Sequence, residues 1–336
     1  MPCRARHDAV QSTLMYRVVC RIGLIAATVG LLLAGCTAAP KPAPALRSTP
    51  AFLSTSVDGN PCTRVDLPHY TIYSTLEDRA VLNQLCDVLE NALSAYRGVA
   101  GAVAISPRPM VCYVFGTRAQ WTAYTKAHAG EDAAVYLMVN RGGYTAGDQF
   151  VAYWIGDTGT FSVAAHEGWH QFAARNLKGR LPPFLEEGLA CLFEQPEWIE
   201  SLPRFDTTHN PPRLTALRVA ADAGELYALS TLVRMHAGQV VGKHASQIEA
   251  FYAESWAFAR FLLEAENGRY RPALTHMIDD AARGALFDDD SIESPTGGGP
   301  LWNPASSRPM LEHYLNQPLD KIEIAFARYV RELVAR

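Results

Sequence analysis

The chain has 336 residues, of which 49% are hydrophobic, 19% charged and 10% aromatic. This composition excludes a disordered or low-complexity protein, because enough apolar surface is present to form a core. The net charge of −4 argues against a basic nucleic-acid-binding protein. Without the arginine-containing first 35 residues, 26 basic residues face 33 acidic ones, so the charge becomes −7.

The amino terminus has the pattern of an export signal. A basic stretch at residues 15–21 precedes an apolar run at 22–33, which is shorter than the roughly 20 residues of a membrane-spanning helix. The following Leu33-Ala34-Gly35-Cys36 resembles the bacterial lipobox, in which the cysteine is lipid-modified. It predicts a lipoprotein signal peptide over 1–35 and lipidation of Cys36. The expected location is the cell envelope, at the periplasmic face of the outer membrane; a plain signal peptide is the alternative.

Proline and alanine dominate residues 36–60, which predicts an extended tether. Beyond it, alternating and helical periodicities predict a sheet part over 61–157 and a mainly helical part over 158–336. Strands are expected at 69–73, 110–115, 133–139 and 149–155, and Ser74 with Glu77 predicts a capping box for a helix ending near residue 98. This order predicts a mixed sheet with helices packed against it.

Four cysteines remain after the predicted lipid site. In an oxidising compartment they allow up to two disulfides, but they equally suit buried free thiols. They are Cys62, Cys86, Cys112 and Cys191.

The segment His166-Glu167-Gly168-Trp169-His170 carries the strongest chemical signal. Residues four apart lie one turn apart on one helix face, so His166 and His170 can direct two imidazoles at one metal ion. Neutral imidazole nitrogen is a preferred ligand of Zn²⁺. Glu167 lies about 100° around the helix from His166, where it can reach a metal-bound water as a general base. The prediction is one Zn²⁺ per chain.

A second predicted helix supplies candidates for a third ligand. Glu186 and Glu187 follow Pro182-Pro183 on a helix expected to return antiparallel to the first. Catalytic zinc sites keep three protein ligands and an open position for water. A carboxylate from this helix would complete the set.

Together these two helices resemble a known family. A His-Glu-x-x-His helix followed by an aromatic-Leu-x-Glu-Gly-x-Ala helix is similar to the gluzincin zinc metallopeptidases, and more narrowly to the peptidase-MA-like domains of bacterial lipoproteins. The match covers residues 166–194, with a weaker match at 252–256. It implies an α+β, zincin-like fold in which a mixed sheet precedes the His-Glu-x-x-His helix and a mainly helical C-terminal part.

The resemblance also implies roles for individual residues. In the family, the glutamate directly before glycine is the third ligand, which favours Glu187 over Glu186. Tyr252 lies in the weaker match and becomes the candidate donor to a developing oxyanion. Core packing is the alternative for Tyr252, and His236 or His244 are alternatives for the donor.

Zincins usually bind substrate along a sheet edge by β-augmentation. Residues 142–147, followed by 150–154, are the predicted edge, with Tyr144 and Phe150 as predicted substrate contacts. A simple hairpin is the alternative.

The predicted function is that of a membrane-anchored, zinc-dependent peptidase that hydrolyses peptide bonds in the bacterial cell envelope. Its expected partners are a peptide or protein substrate and the membrane, without nucleic acid. One alternative is a non-catalytic envelope lipoprotein that uses a zincin-like domain as an interaction module. Another is a zinc hydrolase of non-peptide amides, since the attacking chemistry is shared.

Overall fold

The computed structural model describes residues 47–48, 50–139, 142–240, 243–287 and 303–336. The predicted signal segment, Cys36 and the first part of the predicted tether lie outside these residues. The described chain combines a six-stranded mixed sheet with helices, which confirms the expected α+β class. No helix in this part is both long and apolar enough to cross a membrane.

Six strands form the main sheet: β1 (Ala51–Val57), β2 (Asn60–Asp66), β3 (Tyr70–Ser74), β4 (Met110–Phe115), β5 (Gly143–Ala146) and β6 (Gln149–Tyr153). They lie in the order β1-β2-β3-β4-β6-β5, so β5 is an edge strand. The β3–β4 and β4–β6 pairs are parallel, and the outer pairs are antiparallel. The sheet is therefore mixed, as the element order predicted.

The sheet begins at Ala51, before the predicted tether boundary at residue 60. Strand β1 pairs along its whole length with β2, although most of its side chains are exposed. Backbone hydrogen bonds between the two strands hold this hairpin together. Because its side chains are mostly exposed, β1 lacks the alternating apolar pattern by which a buried strand is predicted.

Three helices accompany the sheet: α1 (Arg79–Ala100), α2 (Arg118–His128) and α3 (Ala133–Tyr136). Leucines spaced three or four residues apart along α1 form a buried face: Leu82, Leu85, Leu89 and Leu93. This helix starts later than predicted, because Asp78 is its N-cap and accepts from the Ala80 and Val81 amides. Ser74 instead ends β3 and donates its hydroxyl proton to the Val114 carbonyl.

The strand predicted at 133–139 is wrong. A 3₁₀ turn (Gly130–Asp132) leads directly into α3, and the Tyr136 ring stacks on Tyr144 with 4.0 Å between centroids. The β-branched and aromatic residues that favoured a strand thus pack on the sheet edge from a helical turn.

The described part of the chain after β6 is mainly helical, with one hairpin, β7 (Pro196–Ile199) and β8 (Leu202–Phe205), that the sequence did not predict. Its helices are α4 (Asp157–Asn176), α5 (Pro183–Cys191), α6 (Pro211–Ala223), α7 (Leu229–Leu232), α8 (Ala237–Val240), α9 (Ala245–Gly268), α10 (Arg271–Arg283), α11 (Ser307–Leu315) and α12 (Leu319–Val334).

Close packing fixes the helices that carry the candidate site. A Cβ at Gly188 on α5 would overlap the backbone carbonyl of Ser255 on α9, so these helices touch through their backbones. On α4, Gly168 gives room to the Tyr96 hydroxyl, which donates to the Ala165 carbonyl at 2.6 Å. The sequence therefore places glycine where neighbouring elements approach most closely.

Candidate metal centre

Helix α4 forms the floor of the candidate site. His166 and His170 lie on the same face, as the four-residue spacing predicted, and their Nε2 atoms are 3.3 Å apart. Trp169 is completely buried in the core. The helix thus separates its packing face from a face that presents imidazoles to a cavity.

Helix α5 brings a carboxylate to the same point. Glu187 Oε2 lies 3.3 Å from His166 Nε2 and 3.4 Å from His170 Nε2. Glu186 turns to the other ring nitrogen of His170, with Oε1 3.3 Å from Nδ1. Of the two glutamates that the residues alone left open, Glu187 is therefore the one that meets both imidazoles at Nε2.

The Glu187 oxygen at this point is buried and has no hydrogen-bond partner within the described residues. Burial alone raises the pKa of Glu187, but the two histidines outweigh it and lower that pKa overall. Burial alone lowers the pKa of His170, yet Glu187 and Glu186 raise it to about 10. Imidazole and carboxylate groups bind a metal ion in their deprotonated forms, so metal binding by this cluster would release protons.

A polar network supports the rear of His166. Its Nδ1 lies 3.0 Å from Glu194 Oε1, and Arg213 and Asn210 donate to the Glu194 carboxylate. Cys191 Sγ is 4.0 Å from the same Nδ1, so Cys191 and Glu194 form a second possible ligand group with His166. Sequence reasoning missed this network. Glu194 lies beyond the end of α5, seven residues after Glu187, where no local pattern marks it.

Glu167 faces the cavity from the sheet side of the cluster. Thr145, on edge strand β5, lies with its hydroxyl 2.9 Å from Glu167 Oε2 and 3.0 Å from the Glu167 backbone carbonyl. Both residues line the cavity. Thr145 was not singled out in the sequence, although it belongs to the predicted edge.

Tyr252, on α9, borders the same cavity, with its ring centroid 6.3 Å from that of His166. Burial raises the pKa of Tyr252 well above its ordinary value, and the nearby charge of Glu187 adds to this. Neither alternative donor, His236 or His244, is among the described residues that line the cavity. The structure thus brings Tyr252 to the cluster.

The two predicted substrate contacts have different surroundings. Tyr144 borders the cavity, but its ring stacks on Tyr136 and its hydroxyl lies 3.2 Å from that of Thr125. Phe150 is fully buried in the main core and does not line the cavity. Because alternate side chains of a strand face opposite sides of the sheet, β6 directs Phe150 into the packed layer. Phe150 therefore fills the core rather than contacting a substrate.

The four cysteines whose pairing the sequence left open are all buried free thiols. Burial raises the pKa of each of them, to about 12 for Cys86 and about 11 for Cys191. They therefore pack as small apolar side chains.

The cluster lies in a cavity of about 880 Å³. Strand β5 and α3 border it on one side, α5, α8 and α9 border it on the other, and α4 runs between them. Three donor atoms, from His166, His170 and Glu187, converge within it and could hold a metal ion. No family model, curated protein or solved structure matches the chain.

Proposed function

We propose that this chain is a zinc-dependent peptidase that hydrolyses peptide bonds with Glu167 as general base. The observation that carries the proposal is the meeting of three donor atoms, two imidazole nitrogens and a carboxylate oxygen, 3.3–3.4 Å from one another in an open cavity. Of these atoms, the carboxylate oxygen is buried without a hydrogen-bond partner in the described chain.

The donor set fits zinc. Ligands held tetrahedrally at about 2.0–2.2 Å from Zn²⁺ lie roughly 3.3–3.6 Å from one another. The spacing of the three donor atoms falls at the lower end of that range. Two imidazoles and one carboxylate leave one tetrahedral position open, as catalytic zinc sites require.

His166, His170 and Glu187 would hold the ion, which when bound acts as a Lewis acid that acidifies a water and polarises a carbonyl. Glu167 accepts the proton of the attacking water and delivers it to the leaving nitrogen. The Thr145 hydroxyl holds Glu167 Oε2 in place for this transfer.

Tyr252 completes the proposed mechanism as a hydrogen-bond donor. A tyrosine hydroxyl is protonated at neutral pH, and burial raises the pKa of Tyr252 further. It can therefore donate to the substrate oxygen as negative charge develops there, which is the contribution expected of an oxyanion donor.

The substrate proposed is a peptide bound in extended conformation along β5. This edge strand pairs only with β6 among the described strands and borders the cavity beside Glu167. A strand edge that is not paired with another strand offers the backbone groups needed for β-augmentation. The zincin-like fold and the gluzincin resemblance belong to this proposal, because they predict the same edge and the same ligand set.

We also propose that the protein is anchored in the bacterial envelope through a lipid on Cys36. The support is the lipobox-like sequence and the proline-rich segment after it. Mass spectrometry of the membrane fraction tests this proposal, with a Cys36→Ala variant expected to lose both the lipid and membrane retention.

The deciding experiment replaces Glu167 with Gln and compares metal content with cleavage of a peptide library. We expect Glu167→Gln to retain zinc and lose chelator-sensitive cleavage. A matched control is Glu197→Gln, since Glu197 is half-exposed on β7 and away from the cavity. Binding of peptides by the wild type without chelator-sensitive cleavage would instead favour an interaction module.

A further inference from the structure

Arg213 does not line the cavity, but it contacts Glu194, which lies behind His166, and the ring of Tyr252, which borders the cavity. We propose that Arg213 is a positioning residue, which fixes His166 for metal binding through Glu194 and holds Tyr252 at the cavity through its ring. The inference rests on the proposed zinc site and assigns a role to a residue outside it.

The contact of Arg213 with Glu194 is bidentate. Arg213 Nε donates to Glu194 Oε2 at 2.9 Å, and Nη2 donates to Oε1 at 2.8 Å. Asn210, the N-cap of α6, adds a hydrogen bond to Oε2 at 2.9 Å. Because a planar guanidinium matches both carboxylate oxygens, this pair fixes the orientation of the carboxylate as well as its charge.

The orientation of Glu194 determines which nitrogen of His166 is free. Both Glu194 oxygens accept hydrogen bonds from the Arg213 guanidinium, so the side chain faces His166 as a carboxylate. An ionised carboxylate only accepts hydrogen bonds, and Oε1 lies 3.0 Å from His166 Nδ1. The ring therefore carries a hydrogen on Nδ1, which leaves the Nε2 lone pair facing Glu187 when the ring is neutral.

The same guanidinium also contacts the ring of Tyr252. Its central carbon lies 5.0 Å from the centroid of the Tyr252 ring, within the range of a cation–π contact. The third nitrogen, Nη1, donates to Glu249 at 3.0 Å, and Glu249 lies on α9, the helix that carries Tyr252. One partly buried side chain on α6 thus contacts the group behind His166 and the proposed oxyanion donor.

The substitution Arg213→Lys distinguishes this positioning role from the effect of the positive charge alone. Arg213→Lys keeps one positive charge but cannot make the bidentate contact. Complete removal of the charge would leave Glu194 buried without its partner and endanger folding, so Lys is the informative substitution. Glu249→Gln is the matched control, because Glu249 is 60% exposed and contacts Arg213 without touching Glu194 or the metal ligands.

The test measures Zn²⁺ affinity by competition with a chelator and the visible absorption spectrum of bound Co²⁺. We expect Arg213→Lys to weaken Zn²⁺ binding by about 10- to 100-fold and to alter the Co²⁺ spectrum. Glu249→Gln should leave both readouts at wild-type values. Adding Arg213→Lys to Glu194→Gln should weaken binding no further, because the arginine acts through that carboxylate.

Wild-type Zn²⁺ affinity and an unchanged Co²⁺ spectrum in Arg213→Lys would overturn the inference. It would also be overturned if Arg213→Lys weakened Zn²⁺ binding in the Glu194→Gln protein by the same factor as in the wild type. A wild-type protein that binds neither metal would contradict the proposed zinc site itself, which is a different result. For Tyr252, we expect zinc-saturated Arg213→Lys to lose kcat with little change in KM, and to lose none in a Tyr252→Phe background. A further loss in that background would overturn the Tyr252 part.

Discussion

The side chains of the proposed mechanism come from two parts of the chain, the helices and the sheet. The three donor groups and Tyr252 come from helices α4, α5 and α9, whereas Thr145, which holds Glu167, comes from the sheet. Only α4 carries both a ligand pair and the proposed base. Substitutions on the sheet side should therefore alter catalysis without removing the metal.

Thr145→Val tests this separation. Valine keeps the volume but loses the hydroxyl that reaches Glu167 Oε2. A hydrogen bond to a charged group contributes about 1.5–3 kcal/mol, so we expect kcat to fall about 10- to 100-fold with zinc content unchanged. Thr145→Ser should restore much of the rate. A Thr145→Val enzyme with wild-type kcat would exclude the hydroxyl from the mechanism.

Glu254 is a buried carboxyl group whose titration should affect stability independently of the metal. It is 2% exposed on α9, accepts from the Tyr227 amide at 2.9 Å, and burial raises its pKa to about 8. At pH values between the pKa of about 4.3 in the unfolded chain and the pKa in the folded chain, Glu254 holds a proton in the native state but not in the unfolded state. The contribution of Glu254 to stability therefore falls as the pH rises through this range.

The free energy of unfolding of Glu254→Gln minus that of the wild type should therefore be larger at pH 9 than at pH 5, by up to a few kcal/mol. Glutamine still accepts from the Tyr227 amide, so the hydrogen bond is retained. Denaturant titration of both proteins at the two pH values gives the difference. An equal effect at pH 5 and pH 9 would show that Glu254 does not titrate with folding.

At the scale of elements, the separation between α5 and α9 depends on Gly188. Alanine normally favours a helix interior by about 1 kcal/mol over glycine. Here its methyl group would overlap the Ser255 carbonyl, so we expect Gly188→Ala to lower the free energy of unfolding by about 1–3 kcal/mol. It should also weaken zinc binding, because Glu187 precedes it directly.

Gly98→Ala on α1 is the matched control for Gly188→Ala. No heavy atom outside the local helix lies within 4 Å of its added Cβ, so the change should be neutral or slightly stabilising. Equal effects of the two substitutions in denaturant titrations would contradict the tight contact between α5 and α9.

Elements with strong periodicity could be predicted, and elements held by distant contacts could not. Strand β4 and the leucine face of α1 follow directly from apolar spacing. Most side chains of β1 are exposed, and α3 packs through Tyr136 stacking on Tyr144, so neither element has a reliable local pattern. In the site, the two histidines follow from spacing, whereas Arg213 meets Glu194 through the path of α6.

At the scale of the whole molecule, zinc should stabilise the fold, because its proposed ligands join α4 to α5. An ion that binds only the folded state at 100 times its Kd adds about 2.7 kcal/mol to the free energy of unfolding. We expect added Zn²⁺ to raise the melting temperature and a chelator to reverse it. His170→Ala should abolish the response, and His276→Ala, at an exposed histidine, should keep it. An undiminished response in His170→Ala would place the stabilising ion elsewhere.

In the proposed site, His166, His170 and Glu187 hold one zinc ion in the cavity. Anomalous diffraction at the zinc edge, from crystals of protein purified without chelator, locates such an ion. We expect one anomalous peak per chain, within bonding distance of His166 Nε2, His170 Nε2 and a Glu187 carboxylate oxygen. Zinc-supplemented crystals with no peak there, or with the peak at other residues, would contradict the proposed site.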